Sequence, residues 1–526
     1  MPSLVLTLIL SLPQAAPDVA VVCPAEFREA LGPWLQHRRG QGHEVVLLSN
    51  EGTAAEVRGR IRDVARQKRL RFVVLVGDAE RDMDDNPRLR ARCVPIHQAK
   101  AEVNVLWGSE PTIATDNWYA DLDDDRVPDV AIGRLTADTP QELSAIVGKI
   151  LQYERSRDFG PWRRRLNFVA GVGGFGPLVD MVIESSARYF LTRDIPPAYA
   201  VSMTYGSWRS PYCPDPRQFH KATVQRLNEG AWFWVYIGHG FHLGLDRVRV
   251  PGGQHHILDV RDLRKLDCRA PQAPIALFLA CYTGAIDAAD DCLAERMLRT
   301  PGAPVAAVAG SRVTMPYAMG VLSTELMDQC FRHRCPTLGE ALLRAKQKLV
   351  GEAKDDQRRR MLDAVASAVS PNAAKLAAER LEHVQLFNLI GDPLLRLRHA
   401  KAVRLEVAES ATAGDVLEVS GTTPVDGRCR VELVVPLGRL TFKPKPRPRY
   451  PQDADELAEF QEVYRKANDP RLAAVEQVVE GGRFSARLRV PQSARGQCRV
   501  RVFVEGTDDF ALGSAAVKID ALPTAP

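Results

Sequence analysis

The chain lacks most of the features that make a protein's chemistry obvious. After residue 16 no segment approaches the ~18 uninterrupted apolar residues of a membrane-spanning helix, so no span is expected. No GxSxG elbow occurs, which argues against a serine α/β-hydrolase. The ten cysteines are dilute in 526 residues and none forms a CxxC pair, so a disulfide scaffold is excluded. Charge of one sign is also scarce: the net +5 is small for this length and its Lys and Arg are scattered, which argues against nucleic acid. The one concentrated run, Lys443-Pro-Lys445-Pro-Arg447-Pro-Arg449, alternates with proline and is expected to be an extended, solvated segment. His239, His242, His255, His256 and Cys268 match neither a zinc-finger nor an HExxH spacing, so no zinc site is expected from them.

What is present is an ordinary globular composition, with enough apolar material for two or three domains. Residues 4–12 are largely apolar, and Pro13-Gln14-Ala15-Ala16 follows with small residues, so residues 1–16 read as a signal peptide for export. Apolar strand runs at 19–22, 45–48 and 72–76 then alternate with helical patterns at 25–39 and 53–68. Gly32-Pro33 is expected to kink or split the first of these helices. The same alternation resumes after a linker near residue 158, with strands at 166–170, 232–237, 275–280 and 305–308 and a last strand region at 384–397. Such an order predicts a parallel sheet with helices on both faces, in subdomains 17–158 and 159–400. Beyond residue 400, polar and apolar residues alternate between turns, predicting an immunoglobulin-like β-sandwich over 401–526 with a helical insertion near 453–466. Cys429 and Cys498 are candidates for a bridge within it.

Two loops attract attention because strand and turn place them alike. The buried run 232–237 ends in Gly238-His239-Gly240, and the buried run 275–280 ends in Cys281-Tyr282-Thr283-Gly284. Functional groups of open parallel sheets gather outside the carboxyl ends of strands. A thiol becomes a nucleophile as its thiolate, and a histidine nearby is the natural base. Glycines beside both residues let a peptide approach, and the amides of Gly240 and Cys281 are candidates for holding the oxyanion. A lone cysteine after a strand is usually only a small hydrophobe. Two such loops in this order favour a dyad.

Gly238-His239-Gly240 followed by Ala280-Cys281-x-x-Gly284 resembles the dyad of caspase-like peptidases of the gingipain type. The resemblance extends to Val76-Gly77-Asp78, residues 119–134, residues 305–311 and residues 389–393, and so over most of 19–398. It implies a caspase-like fold of two subdomains followed by a sandwich. It also implies His239 as general acid/base and Cys281 as the residue that is acylated, with protein or peptide substrates. Some members carry a third catalytic Glu where this chain has Gly171-Val-Gly173-Gly-Phe-Gly176. Asp180 matches the aspartate that sits in the S1 pocket of Arg- and Lys-cleaving members, which implies cleavage after those residues. The alternative is a catalytically silent scaffold of the same fold, used for binding.

Two further motifs remain. Gly171-x-Gly173-x-x-Gly176 fits a dinucleotide fingerprint, but the next strand ends in Tyr205-Gly206 with no acidic residue, so no organic cofactor is expected. The 121–129 loop begins like an EF-hand, yet Arg126 replaces the required Gly and Ile132 the bidentate Glu. That excludes an EF-hand. Asp121, Asp123, Asp125 and Asp129 remain candidate calcium ligands.

Overall fold

The computed structural model describes residues 16–79, 86–172, 195–351, 356–451 and 453–521. The proposed signal peptide lies outside them, apart from Ala16. Ten strands form one sheet: β1 (Val19–Val22), β2 (Val45–Leu48), β3 (Phe72–Val76), β4 (Ala131–Leu135), β5 (Arg165–Ala170), β6 (Ala200–Tyr205), β7 (Phe233–Ile237), β8 (Ile275–Leu279), β9 (Ala306–Gly310) and β10 (Phe387–Ile390). Their order across the sheet is β2-β1-β3-β4-β10-β9-β8-β7-β5-β6. Residues in β1, β3, β8 and β9 are buried along their whole length, as strands covered on both faces must be. In β3, Phe72, Val74 and Val76 face one core with Leu31, Trp34 and Ile146, whereas Val73 and Leu75 face another with Val57 and Ile61. Helices therefore cover both faces. The helix Ala54–Ala65 that carries Val57 and Ile61 starts at a capping box, Glu56 N donating to Thr53 Oγ1 and Thr53 N to the Glu56 carboxylate.

All neighbours in the sheet run parallel except one pair. β10 is antiparallel to β9 and parallel to β4, so two parallel half-sheets of opposite direction meet at that seam. The expected single parallel direction therefore holds only within each half. The last expected strand region is also shorter than 384–397: a helix, Leu376–Leu386, runs directly into β10. Val384 and Leu386 are buried helical residues, and a short apolar run does not distinguish that from strand. The helix Arg28–Gly40 also runs through Pro33 rather than splitting there.

Buried ion pairs explain several of the motifs read from the sequence. Arg134, fully buried on β4, pairs with Asp116 at 2.6 Å and donates to the carbonyls of Asp78 (3.0 Å) and Val94 (2.9 Å). Asp392 takes the Arg38 guanidinium at 2.5 Å and the Trp34 indole N–H, locking the turn after β10 to the first helix.

Residues 401–521 form two sheets that share one core, in which Val431, Val500 and Val502 of one sheet meet Val419 and Leu488 of the other. All ten cysteines are free thiols. Cys429 pairs with Val504 and Cys498 with Val517, at opposite ends of one strand, so the candidate bridge does not form. The module's insertion packs back on the main sheet. Asn468 accepts from Met203 N (2.7 Å) and donates to Met203 O (3.0 Å), closing the open edge of β6. Arg447 is not simply solvated: it donates to the carbonyls of Trp208 and Ser210 and lies 3.6 Å from the Phe460 ring centroid. Lys443, Lys445 and Arg449 are exposed, as the extended reading expects. Among the described residues no helix is long and apolar enough to cross a membrane.

Candidate active site

β7 and β8 are parallel neighbours in register Ile237 with Leu279, and Gly238 N donates to Leu279 O at 3.2 Å. His239 and Cys281 each follow two residues beyond that last pair, so they emerge side by side at the same sheet end. The two loops touch. A Cβ at Gly240 would lie 2.5 Å from the Cys281 carbonyl oxygen and 2.9 Å from Ala280 Cβ, so no larger residue fits without displacing one loop. Gly238 adopts φ 151°, a backbone conformation that L side chains rarely tolerate.

The backbone of His239 is anchored from two directions. Its carbonyl accepts from Tyr236 Oη at 2.8 Å and from Asp246 N at 3.1 Å. Tyr236 is buried, and that burial pushes its phenol well above the usual range, so it stays a neutral donor. The Cys281 sulfur accepts a hydrogen bond from Thr314 N at 3.3 Å, with Thr314 Oγ1 3.6 Å away. Tyr282 sits at φ 57°, left-handed for a non-glycine residue, which stores on the order of 1–3 kcal/mol and turns the chain sharply after Cys281. Tyr282 N to Arg312 O (3.2 Å) and Gly284 N to Gly310 O (2.9 Å) hold that turn against the end of β9.

Cys281 is the one cysteine of the ten that is not buried. Burial pushes the thiols of Cys23 and Cys213 up to about 12 and those of Cys268 and Cys429 up to about 11, which keeps them protonated and unreactive at neutral pH.

A separate two-stranded sheet, inserted in the chain between β3 and β4, also frames this site. A hairpin of strands His97–Lys100 and Thr112–Thr115 carries Glu110, which accepts from Tyr282 Oη at 2.9 Å. Arg312 pairs twice with Asp287 (2.8 and 2.5 Å) and donates to Thr112 O, while Gln98 also donates to Asp287. The helix Leu293–Arg299 ties the loops together, Leu293 N donating to His242 O and Ala294 N to Thr283 O. Its last carbonyls receive the buried Lys149 ammonium, whose pKa burial pulls down to about 7. Sequence reading missed Thr314, Arg312, Asp287 and Glu110. Arg312 directly follows the quoted 305–311 segment, the only local signal available.

The sequence profile of Peptidase family C25 matches residues 12–398. The chain belongs to peptidase family C25. Among curated relatives of this C25 chain, Lys-gingipain of Porphyromonas gingivalis is 23% identical over 287 residues. That alignment covers 53% of this chain but 14% of the gingipain. Lys-gingipain W83 of the same organism is 24% identical over 230 residues, covering 42% of this chain and 12% of the relative. The chain therefore spans only a small part of these relatives' length. Of solved structures, the Arg-specific cysteine proteinase gingipain R matches with TM-score 0.54 at 15% identity, covering 96% of this chain and 98% of that one. The complex of RgpB pro- and mature domains gives the same score and identity over 96% and 100%. The C25 chain thus has the caspase-like gingipain fold, with the two-sheet module behind it.

The remaining candidate residues divide. Asp180, Gly173 and Gly176 lie outside the described residues. Asp121, Asp123 and Asp129 each bring a carboxylate oxygen within 4.8 Å of the others. Asp125 is not in that group; its Oδ1 accepts from Val127 N at 2.7 Å instead. Burial first, and then the charges of Asp123, Asp125 and Asp121, push the Asp129 carboxyl up, a repulsion that a bound cation would relieve. His256 does approach a metal-type group, but its partners are His220 and Asp262 rather than His239, His242 or Cys268.

Proposed function

We propose that this C25 chain is an exported cysteine endopeptidase working through His239 and Cys281. The observation that carries the reading is the matched position of these two residues beyond β7 and β8, with Cys281 the one cysteine that is not buried. The Cys281 sulfur attacks the scissile carbonyl carbon, and its proton passes to His239. The amides of Gly240 and Cys281 receive the oxyanion. His239 then protonates the departing amine, and water, deprotonated by His239, releases the acid and restores the thiol. Asp180 would select Arg or Lys at P1 by charge pairing. Asp121, Asp123 and Asp129 would hold calcium through hard carboxylate oxygens, suiting an extracytoplasmic protein. Residues 1–16 would direct export.

A second reading, a silent scaffold of the same fold, draws on the absence of a carboxylate in residues 171–176. Hydrolysis of a P1-varied fluorogenic peptide library by wild type and Cys281→Ala separates the two. Cleavage that disappears in the variant supports the peptidase, and its P1 pattern tests Asp180. No cleavage by wild type, with calcium and reductant present, leaves the scaffold.

A further inference from the structure

Away from the Cys281 loop, the fold gathers a second set of donors from three separate elements. His220 lies in the first turn of the helix Phe219–Asn228, His256 ends the hairpin strand Gly253–His256, and Asp262 lies in the turn Val260–Lys265. One ligand atom from each lies within 4.8 Å of the other two. The imidazoles are stacked, 4.5 Å between centroids and 20° between planes. His256 Nε2 is 3.0 Å from Asp262 Oδ2, and Asp262 is buried while both histidines are half-buried.

The carboxylate is pre-oriented. Lys265 Nζ holds its Oδ1 at 2.7 Å, and Asp259 N donates to Oδ2 at 3.2 Å. By contrast, the His220 ring has no hydrogen-bond partner among the described residues. A histidine stacked on a second one, with no hydrogen-bond partner among the described residues, gains little from this placement as a structural residue. The neutral imidazole is the form that binds metal.

We propose that His220, His256 and Asp262 form a site for a first-row divalent cation of the zinc type. Two imidazoles and one carboxylate match the borderline-soft donor set of such ions, with the fourth position open to solvent. Calcium and magnesium, which require oxygen donors, do not fit. The Lys265 ammonium offsets the Asp262 charge, so the ion is held exchangeably rather than as a permanent structural metal.

Occupancy reaches the His239 loop through the backbone. Ile257 N donates to Asp246 O and Asp246 N to His239 O, both at 3.1 Å. The hairpin of Arg247–Val250 and Gly253–His256 begins just after Asp246. An ion joining His256 to His220 fastens that hairpin onto the helix Phe219–Asn228 and stiffens the segment that carries His239.

Cobalt(II) titration of the full Cys281→Ala chain tests this. The expected result is one equivalent bound with a tetrahedral visible spectrum and no thiolate charge-transfer band. His220→Ala and His256→Ala each weaken binding by at least about tenfold. Lys265→Met, which removes the competing cation, tightens it. With zinc, amide exchange across residues 247–256 slows in the Cys281→Ala chain and does not change when His220→Ala is added. No binding at millimolar cobalt, binding indifferent to both histidine substitutions, or a thiolate spectrum overturns the site.

Discussion

Gly240 and Cys281 are in van der Waals contact: the hydrogen of Gly240 that a Cβ would replace faces the Cys281 carbonyl oxygen, 2.5 Å from where that carbon would lie. The clash is with backbone, so no rotamer change relieves it. Gly240→Ala must separate the two loops by a sizeable fraction of an ångström. Misplacement on that scale lowers turnover by on the order of 100-fold. Peptide hydrolysis is expected to show a fall in kcat while the overall fold, read by circular dichroism, persists. Unchanged kcat would show that the contact does not set the reacting geometry.

Iodoacetamide at mildly acidic pH is expected to modify Cys281 and leave the nine buried thiols intact until the chain is denatured. Buried, uncharged thiols react slowly because the thiolate is the nucleophile. His239→Ala should slow the Cys281 reaction at that pH. Equal rates with and without the imidazole, read by mass spectrometry of the adduct, would remove His239 as the activating base.

Arg312 and Asp287 are both buried and pair twice. Arg312→Ala leaves a carboxylate buried beside the Cys281 loop without its principal cation, which destabilises by on the order of 3–5 kcal/mol. Urea denaturation followed by tryptophan fluorescence measures this. Asp287→Asn with Arg312→Met, which removes both charges, is expected to recover much of the loss.

Glu154 carries an acid-sensitive part of the stability. Burial alone would raise its carboxyl, but hydrogen bonds from His37, Gln41 and the Arg396 amide, with the Arg38 charge, hold it at about 2 against an ordinary 4.5. A carboxyl lowered in the folded state stabilises above its unfolded pKa and loses that stabilisation as pH falls through the folded one. The stability gap between wild type and Glu154→Gln is therefore full at neutral pH and narrows as pH drops from about 4.5 toward about 2. The part lost over that range is on the order of 3 kcal/mol. A gap independent of pH, measured by urea denaturation at several pH values, would show that the ionised form is not the one stabilised.

Calorimetric titration with calcium is expected to show one binding event that the double substitution Asp121→Asn, Asp129→Asn abolishes. Asp125→Asn should alter it little, because Asp125 stands outside the group of three. Absence of heat in wild type, after chelation and dialysis, would leave the loop as an internally hydrogen-bonded turn.

Much of this architecture was legible along the chain. Most strands of the main sheet fall on runs read as strands, and β1, β3 and β8 are apolar at every position because both their faces are covered. His239 and Cys281 stood out for a related reason: both follow such runs at a glycine-rich turn, a local pattern. The antiparallel seam between β9 and β10 was not legible, since strand direction and order arise from pairing between residues 307 and 390 and their neighbours. The same holds for the frame of the site. Thr314 N on the Cys281 sulfur, Glu110 on Tyr282 and Asp287 on Arg312 join residues far apart in sequence, and nothing in the local pattern of either partner announces the other. His220, His256 and Asp262 converge only because a helix, a hairpin and a turn pack together. The sequence by itself determined where strands and helices form and which two loops end at glycine turns, because periodicity and turn chemistry are local properties. Only the tertiary structure decided which half of the sheet points which way and which side chains meet, because long-range packing selects those contacts.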